Sequence, residues 1–280
     1  MGAAISTINF DYQVPDLALT IKNGTVKGFN WGLHLGSNYV YGSNVYVTDL
    51  TFRGNTVAIA QVHIDLWIDE SLFQENQRGL NGGESAWHVS DSVFRSNTYA
   101  VDIADAEIWF DNNRFVDNAT GLRTERTGIR LYDNTFTGGG VGVLSIMSKN
   151  YGMVLSRNSF IGLGLGVDTS ISATVTIDNN VFKGNGASGL NLRDVWAGTV
   201  TGNTFVGNGF SPGIYADPSG NPLTAGLWTS IDGNGTIAHN TAIGNAGYGI
   251  EAHGAVDGGG NIARGNGNPA QCLGVVCTKK

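Results

Sequence analysis

Residues 175–192 read VTIDNNVFKGNGASGLNL, and the same grammar returns at 129–144 as IRLYDNTFTGGGVGVL and at 237–250 as IAHNTAIGNAGYGI. Each copy opens with a short apolar–polar alternation and turns at Asn. It then steps through a brief apolar stretch holding Phe or Ala, turns at Gly or Asn, and ends in Gly-aliphatic-x-aliphatic. Period-two alternation marks a strand with one buried face. Outward from these copies, Phe52, Phe73, Phe94, Phe115 and Phe136 stand 21 residues apart. Phe160, Phe182 and Phe205 follow at intervals of 24, 22 and 23. Ala242 and Ala263 continue the column, and Val26 begins it, which makes 11 units. Three short strands and three turns describe one coil of a solenoid, a unit too small to bury a core without stacking on its neighbours.

Asn fills two columns of this repeat. One lies two residues before the Phe (Asn113, Asn134, Asn158, Asn180, Asn203, Asn240, Asn261), with Ser71 and Ser92 in the same slot. The other lies three residues after it (Asn55, Asn76, Asn97, Asn118, Asn185, Asn208, Asn245, Asn266). Asn tolerates the left-handed backbone of a sharp turn, and stacked amides can hydrogen-bond along a ladder. These residues read as scaffold.

The unit Asn-x-Phe-x-x-Asn…Gly-aliphatic-x-aliphatic resembles the right-handed parallel β-helix repeat of the pectate-lyase-like superfamily, over about residues 20–268. The resemblance implies an all-β, single-stranded right-handed parallel β-helix. That superfamily holds lyases, glycoside hydrolases, epimerases, fructotransferases, tailspikes and proteins without known activity, so it implies little about chemistry. The ending NIARGNGNPAQCLGVVC is similar to secreted bacterial members, especially actinobacterial ones. Leu66-Trp67-Ile68-Asp69-Glu70-Ser71 resembles the Trp-Ile-Asp-His segment of pectate lyases but has Glu70 where His is expected, and the Arg-x-Pro-x-x-Arg segment is missing.

Composition agrees. The chain has 42 Gly, 28 Asn and only 14% charged residues. Helix bundles are excluded by the excess of poor helix formers, and collagen by the lack of Gly at every third position. Disorder is excluded by 41% hydrophobic content. A net charge of −7 opposes a nucleic-acid partner, and no apolar run reaches membrane-spanning length. No phosphate-binding Gly loop, zincin His pair or nucleophile elbow occurs. His34, His63, His88, His239 and His253 are dispersed, too scattered for one zinc site.

The reading is one domain over 1–280: an N-terminal arm or cap at 1–15, coils over 16–268 and a C-terminal cap at 269–280. Cys272 and Cys277 lie just past the last coil. A disulfide loop over the open edge is favoured over metal or free thiols, because only two thiolates are present and no His is near. The bridge points to a secreted, extracellular protein whose signal peptide is absent from this chain. Either the chain is a fragment or its open N-terminal edge pairs with another molecule; that edge and an aromatic row are the expected surfaces for oligomer formation.

Function is sought on outward columns. In the third strand the column runs His34, Ala60, Asn81, Asp102, Arg123, Leu144, Asp168, Asn191, Tyr215 (or Trp228), Glu251. Two residues on come Val62, Ala104, Glu125, Ile146, Ser170, Arg193, Asp217 and His253. Asp102, Asp105, Arg123, Glu125 and Arg126 converge over two adjacent coils. Paired carboxylates with an Arg suit polysaccharide lysis, in which carboxylate-held Ca²⁺ or an Arg neutralises a uronate, or glycoside hydrolysis by two carboxyls. The candidate catalytic residues are Asp102, Arg123, Glu125 and Asp168, with Arg193 on substrate. Asp102, Asp105 and Glu125 are the metal set if Ca²⁺ is used, and otherwise no cofactor is expected. The alternative is a cross-coil Asp102–Arg123 ion pair. Insertions at 145–151 and 211–230 would wall this groove. On the first strand a second column, Tyr46, Trp67, His88, Trp109 and Arg130, faces outward, followed two residues later by Asp69, Ser90, Asp111 and Tyr132. It fits a glycan- or protein-binding surface of a non-catalytic solenoid, or a face covered by an arm or loop.

Overall fold

The computed structural model describes residues 2–6, 18–36, 44–146, 152–170 and 174–279, the side chains of 232 and 233 excepted. Among these residues there is no helix, and the 31 strands join into one continuous, parallel-paired sheet wound as a right-handed solenoid of about 11 turns. A representative coil consists of Ala86–Ser90, Val93–Arg95 and Tyr99–Ala104, here termed first, second and third strands. The next coil repeats it with Glu107–Asp111, Arg114–Val116 and Thr120–Glu125. Neighbouring coils pair in register: Trp109 lies opposite His88 and Arg130, Phe115 opposite Phe94 and Phe136, and Asp102 opposite Asn81 and Arg123.

The Phe column is the spine of the core. From Phe52 to Phe205 each ring stacks on the next at 4.4–5.0 Å with planes within 10°. The rings are buried. This spacing is the coil repeat itself, close to the ~4.8 Å between hydrogen-bonded strands, so register and ring stacking impose each other. Where the column changes to Ala242 and Ala263, the last coils close over small side chains.

The Gly that opens the third strand has a packing cause. A Cβ on Gly121 would sit 2.4 Å from the carbonyl oxygen of Gly142 in the next coil and 3.0 Å from the Phe136 ring. Close approach of two coils, rather than a left-handed backbone, selects Gly there.

Both Asn ladders form as expected. The Asn134 Oδ1 accepts the backbone N–H of Asn113 at 2.9 Å and its side-chain N–H at 3.0 Å. The Asn113 amide also donates back to the Val89 carbonyl at 2.8 Å. Ser71 and Ser92 supply the same acceptor at the start of this ladder, with Ser92 Oγ accepting from Ser71 N–H at 3.1 Å. The second ladder ends on Gln271, whose Oε1 accepts both the backbone and side-chain N–H of Asn266 at 3.0 Å. Such buried amides are stabilising only because every donor meets an acceptor.

At the C-terminus Cys272 and Cys277 are joined by a disulfide. Cys272–Leu273 pairs with Ile250–His253, and Cys277–Thr278 with Asn261–Arg264, so the small loop covers the last edge. At the N-terminus, within the expected arm or cap, Ala3–Ser6 is a strand that pairs Ile5 with Leu33 and extends the third-strand sheet. Residues 7–17 lie outside the described residues, as do 147–151 of the expected smaller loop.

The larger insertion folds back on the solenoid. Leu223 and Ala225 bury with Leu165, Ala187 and Trp228, and Tyr215 and Tyr248 pack against them, forming a small second core outside the coils. Ala216 and Pro222 form an antiparallel bridge within it. Trp228, not Tyr215, takes the column position opposite Asn191 and Glu251, and Ser230, not Asp217, stands opposite His253.

Candidate functional site

The two outward faces differ in how their side chains are used. On the first-strand face, parallel register places Tyr46, Trp67, His88, Trp109 and Arg130 in one file. Trp67 and His88 stack at 3.7 Å, His88 and Trp109 at 4.6 Å, each pair within 5° of parallel. Tyr46 lies 6.3 Å from Trp67, and the Arg130 guanidinium sits 4.9 Å over the Trp109 ring. Ring faces are therefore spent largely on each other, which leaves ring edges to face outward. Tyr46 and Trp67 remain about 40% exposed.

Two residues further along each strand, Thr48, Asp69, Ser90, Asp111 and Tyr132 form a parallel second file. Between the files runs an open slot of about 420 Å³, floored by the strand at Ile68, Val89 and Phe110. Ser90 Oγ donates to Asp69 Oδ1 at 2.8 Å, and Asp65 on the other flank accepts the Ala86 N–H at 3.0 Å. Glu107 holds Arg130 at 2.9 Å. Partial burial lowers the His88 pKa below the ordinary histidine value, against an opposing pull from Asp65, so the imidazole is neutral at pH 7.

On the third-strand face the expected site residues are brought together, but as ion pairs. Asp102 accepts from Arg78 Nε at 2.9 Å and Arg123 Nη1 at 3.2 Å. Arg126 grips Asp105 through two nitrogens at 2.7 Å each and also contacts Glu125. The hydrogen bond from Arg126 holds the Asp105 carboxyl below its usual range. The expected metal set of Asp102, Asp105 and Glu125 is thus not assembled: each carboxylate is bound to an Arg, a donor set that does not fit Ca²⁺. Among the described residues no group of three His, Cys, Asp or Glu side chains could hold a metal ion.

Asp168 lies further along the same face. Arg193 Nη2 reaches both its oxygens at 2.8 Å, and the Asn191 amide donates at 2.7 Å. The folded-back insertion brings Tyr215 close enough that burial, and then Asp168, raise its pKa. Asn191 Oδ1, Arg193 Nε and Trp228 Nε1 are buried without a hydrogen-bond partner. Arg78 as a partner of Asp102 escapes sequence reasoning because the contact crosses the columns diagonally, and Tyr215 beside Asp168 because it depends on how the insertion folds back.

A parallel in-register stack with a slot running along one face defines a right-handed β-helix. The sequence matches the right-handed beta helix region family over residues 78–226, and the chain belongs to that family. No curated protein matches it significantly. Two solved structures are similar in fold, both A-modules of mannuronan C-5 epimerases from Azotobacter vinelandii. The AlgE6 module is 16% identical with a TM-score of 0.42, covering 95% of this chain and 80% of that one. The AlgE4 module is 13% identical with a TM-score of 0.45, covering 94% and 91%. At these values the likenesses carry no argument about chemistry.

Proposed function

We propose that the protein binds a polysaccharide lengthwise in the slot of the first-strand face. The observation that carries this reading is the stacked Tyr46–Trp67–His88–Trp109 file facing a file of hydroxyls and carboxylates across an open groove. One wall offers the edges of stacked aromatic rings, the other offers hydroxyls and carboxylates, and a sugar chain presents both C–H faces and hydroxyls at every unit. The periodicity favours a glycan over a peptide. Wall groups recur once per coil, about 4.8 Å, whereas same-face side chains of an extended peptide recur every two residues, about 6.8 Å. A pyranose chain advances by about one coil per sugar and stays in step.

Calorimetric titration with neutral, uronate and amino-sugar oligomers tests this. The double variant Trp67→Ala, Trp109→Ala is expected to lose at least tenfold in affinity. Unchanged affinity would sink the reading. The Cys272–Cys277 bridge supports action in an oxidising compartment outside the cytosol.

A second reading, cleavage of the chain at Asp168, is favoured by one observation. Buried polar atoms of Asn191 and Arg193, the two residues that hold this carboxylate, lack partners, as does Trp228 Nε1 one coil beyond Asn191. Unsatisfied buried groups are costly and often mark a place where another molecule docks. A screen for unsaturated products by ultraviolet absorbance and for new reducing ends decides it. Activity abolished in Asp168→Asn would establish it, and silence across the panel would dismiss it.

A further inference from the structure

We propose that the slot selects a cationic glycan, a β-1,4-linked chain of 2-amino sugars, over a uronate chain. The inference rests on the polysaccharide reading above and adds the charge and linkage of the occupant.

Charge is the first support. Asp65 and Glu107 flank the aromatic file on one side and Asp69 and Asp111 on the other. The adjoining turn adds Asp49, Glu70, Asp91 and Asp133. These four have φ between 47° and 57°. Left-handed backbone costs a side-chain-bearing residue of roughly 1–2 kcal/mol relative to Gly. In the next turn of the coil, Gly54, Gly138, Gly162 and Gly184 occupy several of the left-handed positions. The turn beside the slot thus adds carboxylates at left-handed positions, as the other turn does with Glu75 and Asp117 in the coils of Asp69 and Asp111.

The cations on this face lie toward its ends. Lys22 stands two coils before Asp69 in the same file. Arg130 is held by Glu107, and Arg157 by Asp133 at 2.7 Å. Between them the slot wall carries Asp69 and Asp111, neither of which forms an ion pair among the described residues, and a uronate there meets like charge on that wall.

Spacing is the second support. Along the acceptor wall a carboxylate recurs at every second coil, Asp69 then Asp111, with Ser90 between, and Asp65 and Glu107 repeat that spacing behind the aromatic file. Two coils are about 9.6 Å. In a β-1,4-linked chain successive sugars are turned over, so the same substituent faces the same wall only at every second unit. Ammonium groups on such a chain meet Asp69 and Asp111 on one wall, and the intervening ammonium groups turn toward the opposite wall.

The test is titration with three hexamers of matched length: fully deacetylated β-1,4-glucosamine, its N-acetylated counterpart and a galacturonate. Buffer pH is set between the ordinary carboxylate range and the pKa of the amine. The expected result is that the amine binds at least tenfold tighter than the N-acetyl chain, with the uronate weakest. Asp69→Asn combined with Asp111→Asn should abolish the tenfold preference for the amine over the N-acetyl chain. Asp111→Asn alone should reduce the preference severalfold and serves as the milder variant. If the N-acetyl or uronate hexamer binds equally or better, the charge inference is overturned while the polysaccharide reading survives. If no hexamer binds, both fall.

Discussion

The first- and third-strand faces are built by the same repeat, yet one is left open and the other is closed on itself. On the third-strand face Asp102, Asp105 and Asp168 are each tied to an Arg in a neighbouring coil. On the first-strand face the aromatic file stacks along its own axis, and its companion file stays largely available. Parallel register makes columns in both cases. What fills a column decides its role: opposite charges on adjacent coils neutralise each other, whereas like groups at every coil make a continuous wall.

Both faces hang on the Phe column, so the largest effect should come from its removal. Phe115→Ala is expected to cost about 3–5 kcal/mol in chemical denaturation. A loss below about 1 kcal/mol would show that the coils collapse into the gap, a degree of relaxation unusual for close-packed cores. Trp67→Ala with Trp109→Ala separates the faces: glycan affinity falls by about 1.4 kcal/mol or more while the thermal midpoint moves little. A midpoint shift comparable to that of Phe115→Ala would make the row structural cover instead.

His88 gives a pH signature. Its pKa is lowered by burial in the folded state, so the neutral form is favoured there. Its contribution to stability is complete above the unfolded-state value of about 6.5 and is lost as pH falls through the lower folded value. His88→Gln should flatten the acid limb of a stability–pH curve in that window, and an unaltered limb would remove the assignment. The smallest effect is expected on the third-strand face. Arg123→Ala leaves Arg78 on Asp102 and should change stability by about 0–1 kcal/mol. Loss of a chain-cleaving activity in that variant would reverse the contrast between the faces.

The sequence carried the fold almost entirely, because the solenoid has one register and its period is written in Phe, Asn and Gly. Phe94 opposite Phe115, and Asn113 beneath Asn134, follow from counting. The aromatic file was legible for the same reason, through strict alternation around Ile68, Val89 and Phe110. Counting along columns could not show where long side chains reach diagonally, as Arg193 does to Asp168. Nor could it show the route of an insertion. Tyr215 and Trp228 compete for one column position on paper, and burial of Trp228 with Leu165 and Leu223 settles it in space.

The asparagine ladders have a direction. Each amide oxygen accepts from the coil before it, so the final coil is left with donors that need an acceptor beyond the repeat. Gln271 supplies that acceptor, and the Cys272–Cys277 loop follows at once. In polymer terms the coils are monomers and Gln271 is a chain terminator. The repeat specifies how the rod grows, and one side chain outside the repeat specifies where it stops.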